Sequence, residues 1–416
     1  MKILLATSRA ARKGTGIPSY NYELCKALSR NHDIYLLSDA DEHNVEGYIR
    51  TYSTHNNSTS DYSYAEKLIS KINQAEYDCI INSSSAFIPI LAPFLKAPII
   101  GISHFINGKL AIKSAFNAEY LNGIVSLSEY GKQYLIKKFD IKDSEKIRVI
   151  YNSVEDKPVK YKNKSHNHPL RIVYPGGTSI MKSVDVIQEL VYRLSASNLD
   201  FEFIWIGGTK LPIAQFSLLH LKKTPDLFKT DPRVTITGLI PQEESVDIIS
   251  SANIFLLPSR GEGCPMTLLE AMREGCIPIV SDAHHGSREL LENANTGYIV
   301  KQDSSFDLFN CISKILVSPD SSADMYQTTR DFLKSNLSNT NWENQMNEFI
   351  NFACKRDKKY IPLTHRSFQT SFKTLKKLYR IERIKEISRS IYYRIKLDLN
   401  YIKYKLGLFK SPEQCF

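Results

Sequence analysis

From Lys2 to Ser281, short runs of aliphatic and β-branched residues alternate with stretches of helical spacing. That alternation restricts the chain to parallel α/β architecture and argues against a sandwich or a bundle. The runs fall into two series. Lys2–Thr7, Asp33–Ser38, Tyr77–Asn82, Pro98–Ser103, Gly123–Ser128 and Lys146–Tyr151 make the first. Leu170–Tyr174, Phe201–Ile206, Arg233–Thr237, Asn253–Leu257 and Ile277–Ser281 make the second. Between them, residues 155–168 are polar and poor in packable side chains, as expected of a linker. Both series open with the same device, a strand, a glycine-bearing loop and a helix: Ile3-Leu-Leu-Ala-Thr before Gly14-Thr-Gly16, and Ile172-Val-Tyr before Pro175-Gly-Gly177.

A chain of 416 residues exceeds one ordinary core, and a hydrophobic share of 42% is enough for two packed interiors. The expected division is a first domain over 1–160, a second over 169–340, a helix over 341–355 and a basic helical tail over 356–416. The seven cysteines are scattered and form no Cys-x-x-Cys pair, so neither a zinc site nor a disulfide framework is indicated, and a reducing, cytoplasmic setting is expected. Met1-Lys-Ile-Leu-Leu-Ala-Thr7 runs directly into a strand pattern without the features of a signal peptide. Phe87 to Ile102, the longest apolar region, carries three prolines and Lys96 and makes a poor membrane span.

Charge is uneven. Residues 355–416 hold 17 Lys and Arg against 5 Asp and Glu, which leaves 37 against 39 for the rest. In the tail Ile384, Ile387, Ile391, Ile395, Leu399, Ile402, Leu406 and Phe409 recur every three or four residues, the spacing of a long helix with one apolar stripe. Three readings of residues 366–409 stay open: a peripheral contact with an anionic membrane surface on the inner side of the cell, a seam between copies in a homo-oligomer, and packing on the chain's own body. A continuous apolar face argues against nucleic acid as the partner.

The candidate chemistry lies in Pro258-Ser-Arg-Gly-Glu-Gly-Cys-Pro-Met-Thr-Leu-Leu-Glu-Ala-Met-Arg-Glu-Gly275. Pro265 suits the first position of a helix and Gly275 its stop. The open N–H groups of such a first turn, with the positive end of the helix dipole, form an anion site. Glu262 precedes the helix. Glu270 lies more than one turn inside it, where a carboxylate can accept from a diol such as a ribose.

The segment resembles the Glu-x7-Glu motif of retaining glycosyltransferase family 4. That resemblance implies the GT-B fold, two Rossmann-like doubly wound domains, and a late helix, here Trp342 to Cys354, returning to the first. It also implies that Glu262 contacts hydroxyls of the donor sugar and Glu270 the nucleotide ribose, while N–H groups of Gly263, Cys264, Pro265, Met266, Thr267 and Leu268, where present, face sugar and diphosphate. Lys182 occupies the position of the family's diphosphate lysine, His104 that of its active-site histidine, and Gly16 that of its first-domain glycine loop. Many relatives place an arginine about where Gly177 stands, so Arg260, or Arg12 and Lys13, is the candidate substitute cation.

Competing patterns are weaker. Gly14-Thr-Gly16 followed by Ser19, with Asp39 downstream, is an incomplete dinucleotide fingerprint. Asp39-Ala-Asp41 resembles the manganese motif of the GT-A fold, and His284-His285 point apart as neighbours do. The expected activity is therefore metal-independent transfer, without a cofactor, from a UDP-linked sugar to a saccharide or lipid-linked acceptor in envelope polysaccharide or lipopolysaccharide synthesis. A nucleotide-sugar epimerase, a phosphorylase and a non-catalytic sugar-nucleotide sensor remain as alternatives.

Overall fold

The computed structural model describes residues 1–8, 16–39, 50–53, 61–104, 108–158, 169–177, 180–207, 231–283, 285–294, 296–317 and 323–405. The chain divides into two compact units. The first comprises Met1–Asn152, Glu262–Cys264 and Asn339–Ile384, and the second Ser153–Gly261, Pro265–Ser338 and Lys385–Phe416.

Among the described residues the first unit is built on seven strands, β1 (Lys2–Thr7), β2 (Asp33–Ser38), β3 (Arg50–Ser53), β4 (Cys79–Asn82), β5 (Ile99–Ser103), β6 (Gly123–Ser126) and β7 (Ile147–Val149). Their order is β3-β2-β1-β4-β5-β6-β7, and every pair is parallel. Strand order reverses between β1 and β4, the switch point of a doubly wound sheet. Strands β4, β5 and β6 are buried along their whole length, which explains why they are apolar up to the Asn82, Ser103 and Ser126 that end them.

Two late segments complete this unit. Helix Asn339–Cys354 buries Trp342, Met346, Phe349 and Ile350, and a Cβ on Gly123 would stand 2.8 Å from the Phe349 ring, so β6 needs a glycine there. Helix His365–Lys405 is started by a reciprocal cap in which Ser367 N donates to Thr364 Oγ1 at 3.1 Å and Thr364 N donates to Ser367 Oγ at 3.0 Å. Its Phe368 and Leu375 sink into the core of the first unit among Leu68, Ile72, Ile90 and Leu91. On the same side Glu382, 4% exposed, meets Lys138 Nζ at 2.8 Å.

The second unit holds β8 (Leu170–Pro175), β9 (Phe201–Ile206), β10 (Val234–Gly238), β11 (Ile254–Leu257), β12 (Ile277–Ser281) and β13 (Tyr298–Val300) in the order β10-β9-β8-β11-β12-β13, again parallel throughout. Its switch point lies between β8 and β11. Tyr174, Phe201, Phe203, Trp205, Val186, Ile187 and Leu190 are among the residues of its core.

Lys2–Thr7, Asp33–Ser38, Phe201–Ile206 and Ile277–Ser281 coincide with strands residue for residue, and the other expected strands differ by one or two residues at one end or, for Lys146–Tyr151 and Arg233–Thr237, at both. β3 and β13 were not expected. Both are sheet edges with one neighbour, and an edge needs no apolar run: Arg50-Thr-Tyr-Ser53 is polar and β13 has three residues. Most of the expected linker, residues 159–168, lies outside the described residues, as do Leu406 and Phe409 of the tail stripe. Among the described residues no helix is long and apolar enough to cross a membrane.

Candidate functional site

The second unit's switch point brings two loops together at the carboxyl ends of β8 and β11, where ligands of open α/β sheets gather. Arg260 N donates to Met181 O at 2.9 Å and ties one loop to the other. Gly176 is obligatory: a Cβ there would stand 2.2 Å from the Tyr174 ring, and its carbonyl receives Trp205 Nε1 at 2.5 Å. Gly177, by contrast, faces open space. Lys182 ends a short turn, half-buried, with its carbonyl receiving the Tyr174 hydroxyl at 2.6 Å. The next residue, Ser183, takes left-handed φ 58°, rare for a side chain with a Cβ, and starts helix Val184–Ser195 without capping it. The Ser183 and Ser259 hydroxyls are both buried without a hydrogen-bond partner among the described residues.

The helix in the motif runs Met266–Arg273. Pro265 is therefore its N-cap and not its first residue, one position earlier than expected, because its ψ of 124° is still extended. No side chain caps this end, so the amides of Met266 and Thr267 are not used by the helix. Leu268 corrects the expectation: its N–H donates to Pro265 O at 3.1 Å and its side chain is core. The far end closes as anticipated at Gly275, φ 75°, where Gly275 N donates to Met272 O and Cys276 N to Ala271 O in a Schellman arrangement. Glu270 is half-buried, and burial pushes its carboxyl up while Arg273 pulls it down. Glu262 is 9% exposed.

Arg260 has a different occupation from the one its sequence position suggested. Its guanidinium, 3% exposed, donates from Nη2 to Asp185 Oδ2 at 2.7 Å and from Nε to Asp303 Oδ1 at 2.6 Å, and it lies 3.5 Å from the centre of the Tyr393 ring. Lys396 Nζ stands 3.5 Å from the same Asp185 oxygen. Two carboxylates already neutralise this cation, so as placed it has no charge left over for a diphosphate. Arg12 and Lys13 lie outside the described residues.

In the first unit His104 follows β5. Its Nε2 stands 2.7 Å from Ser83 Oγ; Ser83 Oγ donates to Asn21 Oδ1 at 2.5 Å, and Asn21 Nδ2 donates to Thr7 Oγ1 at 2.7 Å. Because the Ser83 proton is spent on Asn21, Ser83 must accept from His104, which puts the ring proton on Nε2. Burial lowers the ring's pKa from 6.5 to about 4, against the pull of a hydrogen bond to the Ser83 backbone. The imidazole is thus neutral near pH 7, with its lone pair on Nδ1. Tyr20 packs edge-on to the ring at 4.7 Å, and its buried hydroxyl has no partner among the described residues.

A pH dependence follows from the depressed histidine. Between pH 6.5 and about 4 the unfolded chain binds a proton at His104 that the folded chain refuses, so stability held above pH 6.5 is lost as pH falls through that window. Urea titrations across it should show a shallower pH slope for His104→Asn than for the unaltered chain; equal slopes would mean the ring is not desolvated.

Three motif residues, Glu262–Cys264, group with the first unit. Gly263 passes so close that a Cβ would stand 2.3 Å from His104 O, and Asn152 Nδ2 donates to Cys264 O. Gly16 has φ 58° at the head of helix Ile17–Leu28, a conformation suited to glycine. Asp39 accepts from Ser85 Oγ at 2.8 Å and Ala86 N at 2.7 Å, which occupies both carboxylate oxygens, while Asp41 and His284 lie outside the described residues. His285 is buried, and among the described residues no three His, Cys, Asp or Glu side chains converge as metal ligands would.

Asn21, Ser83, Tyr20 and Ser183 were not singled out in the sequence. Ser83-Ser-Ser85 at the end of an apolar strand was the available signal, since three hydroxyls at a strand's carboxyl end must find polar partners.

Two family models match the chain, Glycosyltransferase Family 4 over residues 14–157 and Glycosyl transferases group 1 over residues 156–332. The amylovoran biosynthesis glycosyltransferase AmsK of Erwinia amylovora is 31% identical over 166 residues, 38% of this chain and 39% of that protein. The putative colanic acid biosynthesis glycosyltransferase WcaL of Salmonella typhimurium is 27% identical over 148 residues, 34% and 35% of the two chains. The matches thus span under two-fifths of these curated relatives. Among solved structures, Anabaena HepE in complex with UDP superposes with a TM-score of 0.67 at 16% identity, covering 84% of this chain and 100% of that one. Sequence models and backbone likeness agree: the chain carries a Glycosyltransferase Family 4 domain over residues 14–157 and a Glycosyl transferases group 1 domain over residues 156–332, and it has the GT-B fold.

Proposed function

We propose that the chain is a retaining, metal-independent glycosyltransferase that moves a sugar from a UDP-linked donor to a saccharide or lipid-linked saccharide acceptor in envelope polysaccharide synthesis. The observation that carries this reading is the second unit's switch point, where the Gly176–Lys182 loop is bonded to the loop leading into an uncapped helix. Unused amides at a helix start receive phosphoryl oxygens well, and a lysine beside them neutralises the charge that develops as the nucleoside diphosphate leaves. The relatives named for amylovoran and colanic acid biosynthesis support the polysaccharide setting, and the UDP held by HepE supports the base.

In this reading Glu270 accepts from the ribose and Glu262 from donor-sugar hydroxyls. Neutral His104, fixed as the Nε2–H tautomer by Ser83 and Asn21, offers Nδ1 to a sugar hydroxyl. No group near the site must act as a strong base; the leaving diphosphate takes the acceptor's proton, and the protein contributes placement of charge and exclusion of water. A lipid-linked acceptor would put the reaction at the inner face of the cytoplasmic membrane.

The test is thermal-shift titration with UDP-, GDP- and ADP-sugars, followed by product analysis with acceptor. A donor present at 100 times its Kd stabilises the fold by about 2.7 kcal/mol. UDP-sugars should raise Tm, and UDP should be released only when an acceptor is added. Donor conversion without acceptor would support an epimerase, and binding without any conversion a sensor; either result sinks the transfer reading.

A further inference from the structure

The helix His365–Lys405 carries two different faces, and among the described residues only one is packed. Phe368, Leu375 and Glu382 are buried along one side, and Tyr393, at a matching position of the helical repeat, meets Arg260 in the second unit. On the opposite side the first half is basic: Arg366, Lys373, Lys377 and Arg380 are all exposed and share one face. Continuing along that face, the second half is apolar. Ile384, Ile387, Ile391 and Ile395 are 57%, 50%, 46% and 47% exposed, with Ile381 at 40% and Leu399 at 51% beside them. Between residues 366 and 395 both carboxylates, Glu382 and Glu386, fall on the other side.

We propose that this outward face docks the chain on an anionic lipid surface, with the basic half on lipid phosphates and the isoleucine half in the boundary between headgroups and acyl chains. Charge selects this occupant over a second copy of the chain. Two copies aligned in parallel would set Lys373, Lys377 and Arg380 against themselves. Fully overlapped antiparallel copies would set those cations on isoleucines. A copy overlapping only the apolar halves would leave the basic halves unmatched. An anionic bilayer satisfies both halves at once, because its surface offers negative phosphates and, a few ångströms below, hydrocarbon. This inference stands independently of the transfer reading.

The full chain is tested by cosedimentation with vesicles of phosphatidylcholine, with and without phosphatidylglycerol. Truncation is unsuitable, because Phe368 and Leu375 belong to the first unit's core. Two variants are compared with the unaltered chain, Lys373→Gln/Lys377→Gln/Arg380→Gln and Ile387→Ser/Ile391→Ser, both confined to exposed side chains. The unaltered chain should bind anionic vesicles, lose binding as salt is raised, and ignore pure phosphatidylcholine. The triple basic variant should bind about 100-fold more weakly, at roughly fivefold per charge, and the isoleucine variant at least about tenfold more weakly. Both should keep the Tm of the unaltered chain, which separates lost docking from lost folding. No binding to anionic vesicles, or unchanged binding in either variant, overturns the proposal. So does an isoleucine variant that converts a dimer to a monomer in sedimentation velocity, which would name a second copy as the occupant.

Discussion

Lys182→Ala should lower kcat/KM about 100- to 1,000-fold, the range seen when one strong donor to a developing anion is removed, while leaving Tm within a degree or two of the unaltered chain. The expectation rests on placement. Lys182 sits half-buried in the loop that Arg260 N binds through Met181 O, and Arg260 itself lies on the loop leading into the uncapped helix Met266–Arg273. Lys182→Arg keeps the charge but changes a compact ammonium into a planar fork, so it should recover part of the rate. Initial rates of UDP release over a range of donor concentrations, with and without acceptor, make the measurement. A loss of threefold or less in the alanine variant would mean that the lysine is a solvated surface residue and that diphosphate charge is met elsewhere.

Arg260→Ala should destabilise the second unit by about 3–5 kcal/mol, because it strands a buried carboxylate. Asp185 has no exposed side-chain surface, and its Oδ1 already lacks a hydrogen-bond partner among the described residues, so Arg260 carries most of its compensation. Lys396, at 3.5 Å, offsets a share of the loss. Replacing both partners with apolar residues of similar volume, Arg260→Met with Asp185→Leu, should recover much of it, since the fully buried carboxylate is removed and the charges left behind, Asp303 and Lys396, are 30% and 25% exposed to solvent. Urea unfolding followed by Trp205 fluorescence, in a Trp342→Phe background that silences the first unit's tryptophan, reads the second unit directly. A single variant within about 1 kcal/mol of the unaltered chain would show that water reaches Asp185.

Much of this architecture could be read from the residues, and the reasons differ by element. Central parallel strands announce themselves because burial on both faces demands unbroken apolar runs, as in Ile277–Ser281. The stop at Gly275 was legible because a left-handed residue after a helix favours glycine. The ion pairs of Arg260 were not. Asp185, Asp303 and Arg260 are far apart in sequence, and their convergence depends on which loops the strand order brings together. The Thr7–Asn21–Ser83–His104 chain is hidden for the same reason. In the tail, the isoleucine repeat drew attention to the exposed face, whereas Phe368 and Leu375, two turns apart and set among lysines, gave no comparable signal for the buried one.

The first unit's core takes Phe349, Phe368 and Leu375 from segments that follow strands β8 to β13 of the second unit in the chain. On a ribosome the amino-terminal sheet therefore emerges first but waits longest for its last layer, and the later unit can close its own core before it. Nascent chains stalled short of residue 365 would expose an unfinished apolar surface for chaperones to cover, and nonsense mutations in the codons for Phe349 to Leu375 would damage the folding of the sheet encoded before them.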